Sequence, residues 1–290
     1  MLGDAHDLRL QFADGTIIHC RPPKEETRRR PEVGRYREVM QRTVLITGAG
    51  SGFGKGAAIE LAARGHTVIA TTETQAQADA LKGEHPELTV MKLDVTNAAD
   101  IVAVPALKVD VLINNAGLGV LGPMASVPMD RIRASFEVNV FGMVAMSQAV
   151  IPGMKERGWG RIINVSSIAG VFASAQGSPY CMTKHAVEAF TKSLRAELAP
   201  LGIDVTKVNP GPYNTGFNDR MVNNIPTYID PEDQAAKDMH AFVSAAILTG
   251  QLDPSAVSTA LADLTEADTT PEELFLPEGI MEQINAMLGL

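Results

Sequence analysis

From Arg42 onward, short apolar runs alternate with longer stretches whose apolar residues recur at helical spacing. Residues 43–47 form a brief β-rich run, and a glycine-rich turn leads into an alanine-rich helix over 55–64, which Gly65 ends as a C-cap. The pattern then predicts strands at 66–71, 88–93, 109–114, 161–165 and 203–209. Between them it predicts helices at 74–82 (ended by Gly83), 97–104, 130–157 and 180–199. The apolar runs are nearly continuous rather than alternating, which marks strands buried on both faces. Repeated strand–helix units of this kind indicate an α/β protein whose parallel sheet is covered by helices on each side. Beyond Gly211 the rhythm loosens, and residues 212–230 read as a lid. Helices follow at 231–249 and 254–264, then a short strand at 273–276 that Pro277 stops, and a last helix at 279–288.

The first 41 residues do not share this pattern. Two short β-rich runs flank Ala13-Asp14-Gly15, a hairpin signal, and a charged, proline-bearing segment follows. The expectation is a poorly ordered extension over 1–41 and one domain over 42–290. Met40, just before the first core strand, is a candidate natural start.

Charge and cysteine content narrow the function. A net charge of −9 argues against a nucleic-acid surface. Cys20 and Cys181 make neither a disulfide framework nor metal-ligand spacing, so no metal is expected. No apolar run approaches the length of a membrane span, and the N-terminus lacks a signal peptide's basic start and apolar core. The expectation is a cytoplasmic protein.

Candidate chemistry lies at the predicted strand ends. The turn Thr47-Gly48-Ala-Gly-Ser51-Gly52-Phe53-Gly54 can approach a pyrophosphate closely, and the following helix aims its free N–H groups at the anion. Phe53 takes the last position of G-x-G-x-x-G, so the frame is Gly48, Gly52 and Gly54 instead. After the second strand stand Thr72 and Glu73 with no Lys or Arg nearby, which favours NAD over NADP. Tyr180 and Lys184 lie one helical turn apart and share a face just beyond the Ser166-Ser167 pair. A phenol titrates near 10, too high for a base near neutrality, and a neighbouring ammonium lowers it.

Together these residues resemble the classical short-chain dehydrogenase/reductase family over residues 43–215. The glycine loop matches TGxxxGxG, Asn114-Asn115-Ala116-Gly117 matches NNAG, Tyr180 and Lys184 match YxxxK, and Pro210-Gly211 matches PG. The resemblance implies a Rossmann-like, doubly wound, mostly parallel seven-stranded sheet with helices on both faces. It also implies catalysis by Asn139, Ser167, Tyr180 and Lys184, with Asn139 anchoring a water beside Lys184. Cofactor contacts are expected from Gly48, Ser51, Gly52, Phe53, Gly54, Thr72, Asp94, Val95, Asn115, Ala116, Gly117, Tyr180, Lys184, Pro210, Gly211 and Thr215. Substrate contacts are expected from Ser167, Tyr180, Leu118, Phe172, Tyr213 and Phe217. The implied reaction interconverts an apolar or aromatic secondary alcohol and a ketone with NAD or NADP, in a homodimer or homotetramer. The sequence departs from the family in a short third helix, and its ending resembles members that act on retinoids or steroids. Two alternatives are a catalytically silent NAD(P)-binding regulator and a lyase or epimerase of the same superfamily.

Overall fold

The computed structural model describes residues 8–11, 17–20 and 40–288. The chain divides into two compact units, Met1–Glu38 and Val39–Leu290. In the first, β1 (Leu8–Gln11) and β2 (Ile17–Cys20) pair antiparallel from Leu8↔Cys20 to Gln11↔Ile17, in keeping with the hairpin signal. The rest of the expected extension lies outside the described residues.

The second unit begins with β3 (Thr43–Ile46), α1 (Gly52–Ala63), β4 (Thr67–Thr72), α2 (Gln75–Glu84) and β5 (Thr89–Lys92). Then come α3 (Ala98–Ile101), β6 (Val111–Asn114), α4 (Met129–Phe136), α5 (Met143–Arg157) and β7 (Gly160–Val165). Next are α6 (Ser178–Leu198), β8 (Ile203–Pro210), α7 (Phe217–Asn224), α8 (Gln234–Leu248), α9 (Ser255–Glu266), β9 (Glu273–Leu276) and α10 (Ile280–Leu288). The strand order is β5-β4-β3-β6-β7-β8-β9, parallel at every pairing. Winding runs outward in one direction from β3 to β5, then reverses at β6. That reversal opens a crevice beyond the carboxyl ends of β3 and β6, where such sheets bind ligands.

Alternation along the strands divides the core. Val44 and Ile46 of β3 face α1 and α9, with Ala57, Leu61, Val257 and Leu261. Leu45 faces the opposite layer, where Met146 and Val150 of α5 and Leu194 of α6 pack. Arg161 of β7 is 1% exposed. Its guanidinium donates to the carbonyls of Leu264, Thr265 and Ala267 at 2.5, 3.1 and 2.8 Å and pairs with Asp204 at 3.2 Å. The last carbonyls of α9 have no helical partner, so this buried cation closes that helix against the sheet.

Three expectations need correction. The helix predicted to stop at Gly83 runs through it to Glu84, because nothing at that position forces a left-handed turn. The helix predicted over 130–157 is interrupted by a π-turn at Glu137–Gly142. As one rod, Met129–Arg157 is long and apolar enough to cross a membrane by length and composition. No unbroken apolar run announced it, since polar residues punctuate it; buried Met146, Val150 and Met154 place its apolar side in the core.

Candidate active site

The turn after β3 is shaped by steric limits. Gly48 and Gly52 have φ of +65° and +57°, in the left-handed region that favours glycine. A Cβ on Gly48 would lie 2.8 Å from the Ala116 Cα, and one on Gly54 would lie 2.4 Å from Asn115 Nδ2. Asn115 Nδ2 donates to the carbonyls of Thr47 and Gly48 at 2.9 and 3.0 Å. Thr47 Oγ1 in turn accepts the backbone N–H groups of Asn115 and Ala116, each at 3.0 Å. The NNAG stretch thus holds the glycine loop in place. Ser51, extended and without a side-chain cap, precedes α1, so the first N–H groups of that helix are open to an anion. These open N–H groups and the bare glycine backbone fit the pyrophosphate of a dinucleotide.

The crevice has a volume of about 650 Å³. Of the expected cofactor residues, Gly48, Ser51, Gly52, Phe53, Thr72, Asp94, Val95, Asn115, Ala116, Gly117, Tyr180, Lys184, Pro210, Gly211 and Thr215 line it. So do Leu118, Tyr213 and Phe217 from the expected substrate set. Gly54 does not, because it is packed beneath Asn115. Ser167 and Phe172 are also outside the lining, where Ser166 stands instead; the turn at Ile168–Gly170, closed by Phe172 N–H on the Ile168 carbonyl at 3.2 Å, carries Phe172 away. Tyr213 is 2% exposed and meets Phe53 edge-on at 5.5 Å, so it braces the glycine loop. Gln77, Val138, Asn218 and Arg220 line the crevice without having been anticipated as site residues. Arg220 was legible only as a stray charge in the lid, and Gln77 only as the second half of the capping box with Thr74.

The catalytic candidates come from three elements. Ser167 follows β7 and hydrogen-bonds with Tyr180; its Oγ also accepts Ala169 N–H at 3.1 Å. Tyr180 and Lys184 lie in the first two turns of α6. Lys184 Nζ sits 5.7 Å from the Tyr180 ring centroid and donates to the Val165 carbonyl at 2.9 Å. Phe217 of α7 covers the other part of the Tyr180 ring, with centroids 5.9 Å apart. Asn139 lies on the π-turn, a feature that often marks functional positions. It clamps Leu118, accepting its N–H at 2.7 Å and donating to its carbonyl at 2.8 Å, and it donates to Thr183 Oγ1 at 2.9 Å. Its side chain therefore ties the Leu118 loop to α6 at Thr183, the residue before Lys184.

Electrostatics also differ from expectation. Burial pushes the Tyr180 phenol well above its usual value, and the Ser167 hydrogen bond offsets only part of this. Burial lowers the Lys184 ammonium to about 8, against an opposing pull from Glu188. The sequence reading expected Lys184 to depress Tyr180. Burial of the phenol outweighs any pull from Lys184.

The family profile described as short chain dehydrogenase matches residues 42–225. An uncharacterized oxidoreductase, YusZ, of Bacillus subtilis is 38% identical over 209 residues, 68% of this chain and 74% of that protein. Human 17-beta-hydroxysteroid dehydrogenase type 1 is 34% identical over 209 residues, 67% of this chain and 64% of that enzyme. Among solved structures, a short-chain dehydrogenase from Streptomyces avermitilis superposes with a TM-score of 0.72 at 30% identity, covering 86% of this chain and 96% of that one. A closed serine dehydrogenase complexed with NADP+ superposes at 0.68 and 30% identity, covering 81% and 94%. The profile, the relatives and the parallel sheet with its glycine-loop crevice agree: this chain belongs to the short chain dehydrogenase family, as an NAD(P)-dependent oxidoreductase.

Proposed function

We propose that the protein interconverts an apolar or aromatic secondary alcohol and a ketone, with Tyr180 as the acid and base. The observation that carries this reading is the hydroxyl pair Ser167–Tyr180, with Lys184 beside the phenol at the end of the cofactor crevice. When bound, the nicotinamide supplies the hydride acceptor or donor, and in its oxidised form a positive charge. Tyr180 Oη removes the alcohol proton in oxidation and returns it in reduction. Ser167 Oγ donates to the substrate oxygen and steadies its developing charge. Lys184 holds positive charge beside the phenol and favours phenolate. Asn139 fixes Leu118, and so shapes the wall against which the substrate lies.

Leu118, Val138 and Phe217 make the surroundings of Tyr180 largely apolar. The relatives named for a hydroxysteroid and for retinol support a bulky apolar substrate. Thr72 donates to the Thr74 carbonyl at 3.1 Å, and Glu73 lines the crevice, which supports NAD. The solved relatives holding NADP+ or NADPH support NADP. A panel of ketones and alcohols assayed separately with NADH and NADPH, or their oxidised forms, decides both points. We expect Tyr180→Phe to lose about 100-fold or more in turnover, the usual contribution of a general acid or base. Wild-type turnover in that variant would sink the reading.

The same reading includes a cytoplasmic homo-oligomer. Met129, Phe141 and Met182 are exposed on the Met129–Arg157 rod and α6, and an interface there would cover them.

A further inference from the structure

One buried charged cluster lies outside the roles assigned above. Glu188 stands one helical turn beyond Lys184 on α6. Its Oε1 accepts a short hydrogen bond from Ser166 Oγ and another from Asn209 Nδ2 at 2.7 Å. Its Oε2 pairs with Lys207 Nζ at 2.9 Å, and Lys207 pairs in turn with Glu273 of β9 at 3.0 Å. The Glu188 and Lys207 side chains are only 14% and 4% exposed. Asn209 Nδ2 also donates to the Ser167 carbonyl at 3.2 Å. Three consecutive residues at the end of β7 are therefore each held by a side chain of this group: Val165 by Lys184, Ser166 by Glu188 and Ser167 by Asn209. Gly170 leaves the space, since a Cβ there would lie 2.9 Å from Glu188 Cγ.

A buried ion network is not needed for stability alone, because apolar residues of similar volume often do as well. This network touches the strand end that carries the catalytic serine. We infer that Glu188 is a positioning residue for catalysis, holding the Val165–Ser167 corner in register with Tyr180 and supplying the negative charge that faces the Lys184 ammonium. The inference rests on the roles proposed for Tyr180 and Lys184. The charged groups around Glu188 are Lys184 on its own helix, Lys207 of β8 and, through Lys207, Glu273 of β9. Burial lowers Lys184 to about 8 and Glu188 opposes that shift. Burial also acts against the Lys207 charge, but its pairing with Glu188 and Glu273 prevails and raises it. Without the carboxylate, Lys184 gives up its proton more readily, and a nearby phenol ionises more readily as well.

The test is the pH profile of ketone reduction for wild type, Glu188→Gln, Lys207→Gln and Tyr180→Phe, with NAD(P)H affinity measured by fluorescence. Glu188→Gln keeps the shape and one acceptor oxygen but loses the charge. It should lose about 10-fold in kcat, keep its cofactor affinity, and move the alkaline limb about half a pH unit lower. Lys207→Gln leaves Glu188 its charge and removes the competing cation, so that limb should move to higher pH. Opposite shifts in the two variants cannot come from loosened packing. A wild-type profile in Glu188→Gln overturns the inference. Should that variant not fold, an unshifted or lowered limb in Lys207→Gln overturns it. Wild-type rates in Tyr180→Phe, or no turnover in the wild type, overturn the underlying reading as well and are distinguishable from either result.

Discussion

Lys184 is a charge placed where water cannot reach it. It is 4% exposed, and burial lowers it to about 8 from an ordinary value of 10.5. Between those values the unfolded chain binds more protons than the folded one, so stability must rise with pH across that window. Lys184→Met removes the titration. The unfolding free energy of wild type minus that of the variant should therefore grow by up to about 3 kcal/mol between pH 7 and 10.5. Urea denaturation at several pH values checks this, and a flat difference would show that the ammonium is better solvated than its burial indicates. The cost makes sense only if the charge is used, and Tyr180 is the group positioned to use it. Asn139 is a second residue whose task is local. Asn139→Ala strands the N–H and carbonyl of Leu118, and should cost about 1–3 kcal/mol in stability. It should also raise KM for the substrate more than for the cofactor in steady-state kinetics, given the substrate contact proposed for Leu118.

At the scale of elements, the glycine loop and the NNAG strand end act as one unit. Asn115 holds the loop carbonyls, while Gly48 and Gly54 make room for Ala116 and Asn115. Asn115→Ala removes two hydrogen bonds, worth about 2 kcal/mol together. We expect the affinity for NAD(P)H to fall by about 10-fold or more, read by fluorescence titration, while Tyr180 stays in place. Unchanged affinity would mean that the loop keeps its shape without the asparagine. Gly48→Ala should do greater harm, because its Cβ meets backbone at 2.8 Å and its φ of +65° disfavours any side chain.

At the scale of the whole molecule, the seven-stranded sheet depends on contacts between residues far apart in sequence. Arg161 of β7 closes the end of α9 and pairs with Asp204 of β8. Removing its side chain strands the Leu264 and Ala267 carbonyls and leaves Asp204 with Arg195 as its cation. Arg161→Ala should therefore destabilise by about 3–5 kcal/mol in chemical denaturation. A loss below about 1 kcal/mol would mean that water replaces the guanidinium. For the proposed oligomer, Phe141→Glu should shift the mass in multi-angle light scattering toward the monomer without lowering the molar ellipticity of the fold.

By itself, the sequence determined the strands, the parallel α/β class and the YxxxK pair, because these rest on local periodicity. The run at 161–165 is apolar whatever surrounds it, and residues four apart on a helix must share a face. Even the seventh strand at Glu273–Leu276 was legible from its β-rich run and the proline after it. The tertiary structure decided whatever depends on what fills the remaining space. The π-turn has no signal in apolar spacing, and it carries Asn139 to Leu118 and Thr183. Phe172 follows a turn whose direction is set by packing, and it ends outside the crevice. Tyr213 finds Phe53 only once β8 lies in the sheet. The charge balance at Tyr180 was likewise decided in three dimensions. Spacing put an ammonium within reach of a phenol, but the burial of both is a product of packing, to which Phe217, more than thirty residues later in sequence, contributes at the Tyr180 ring.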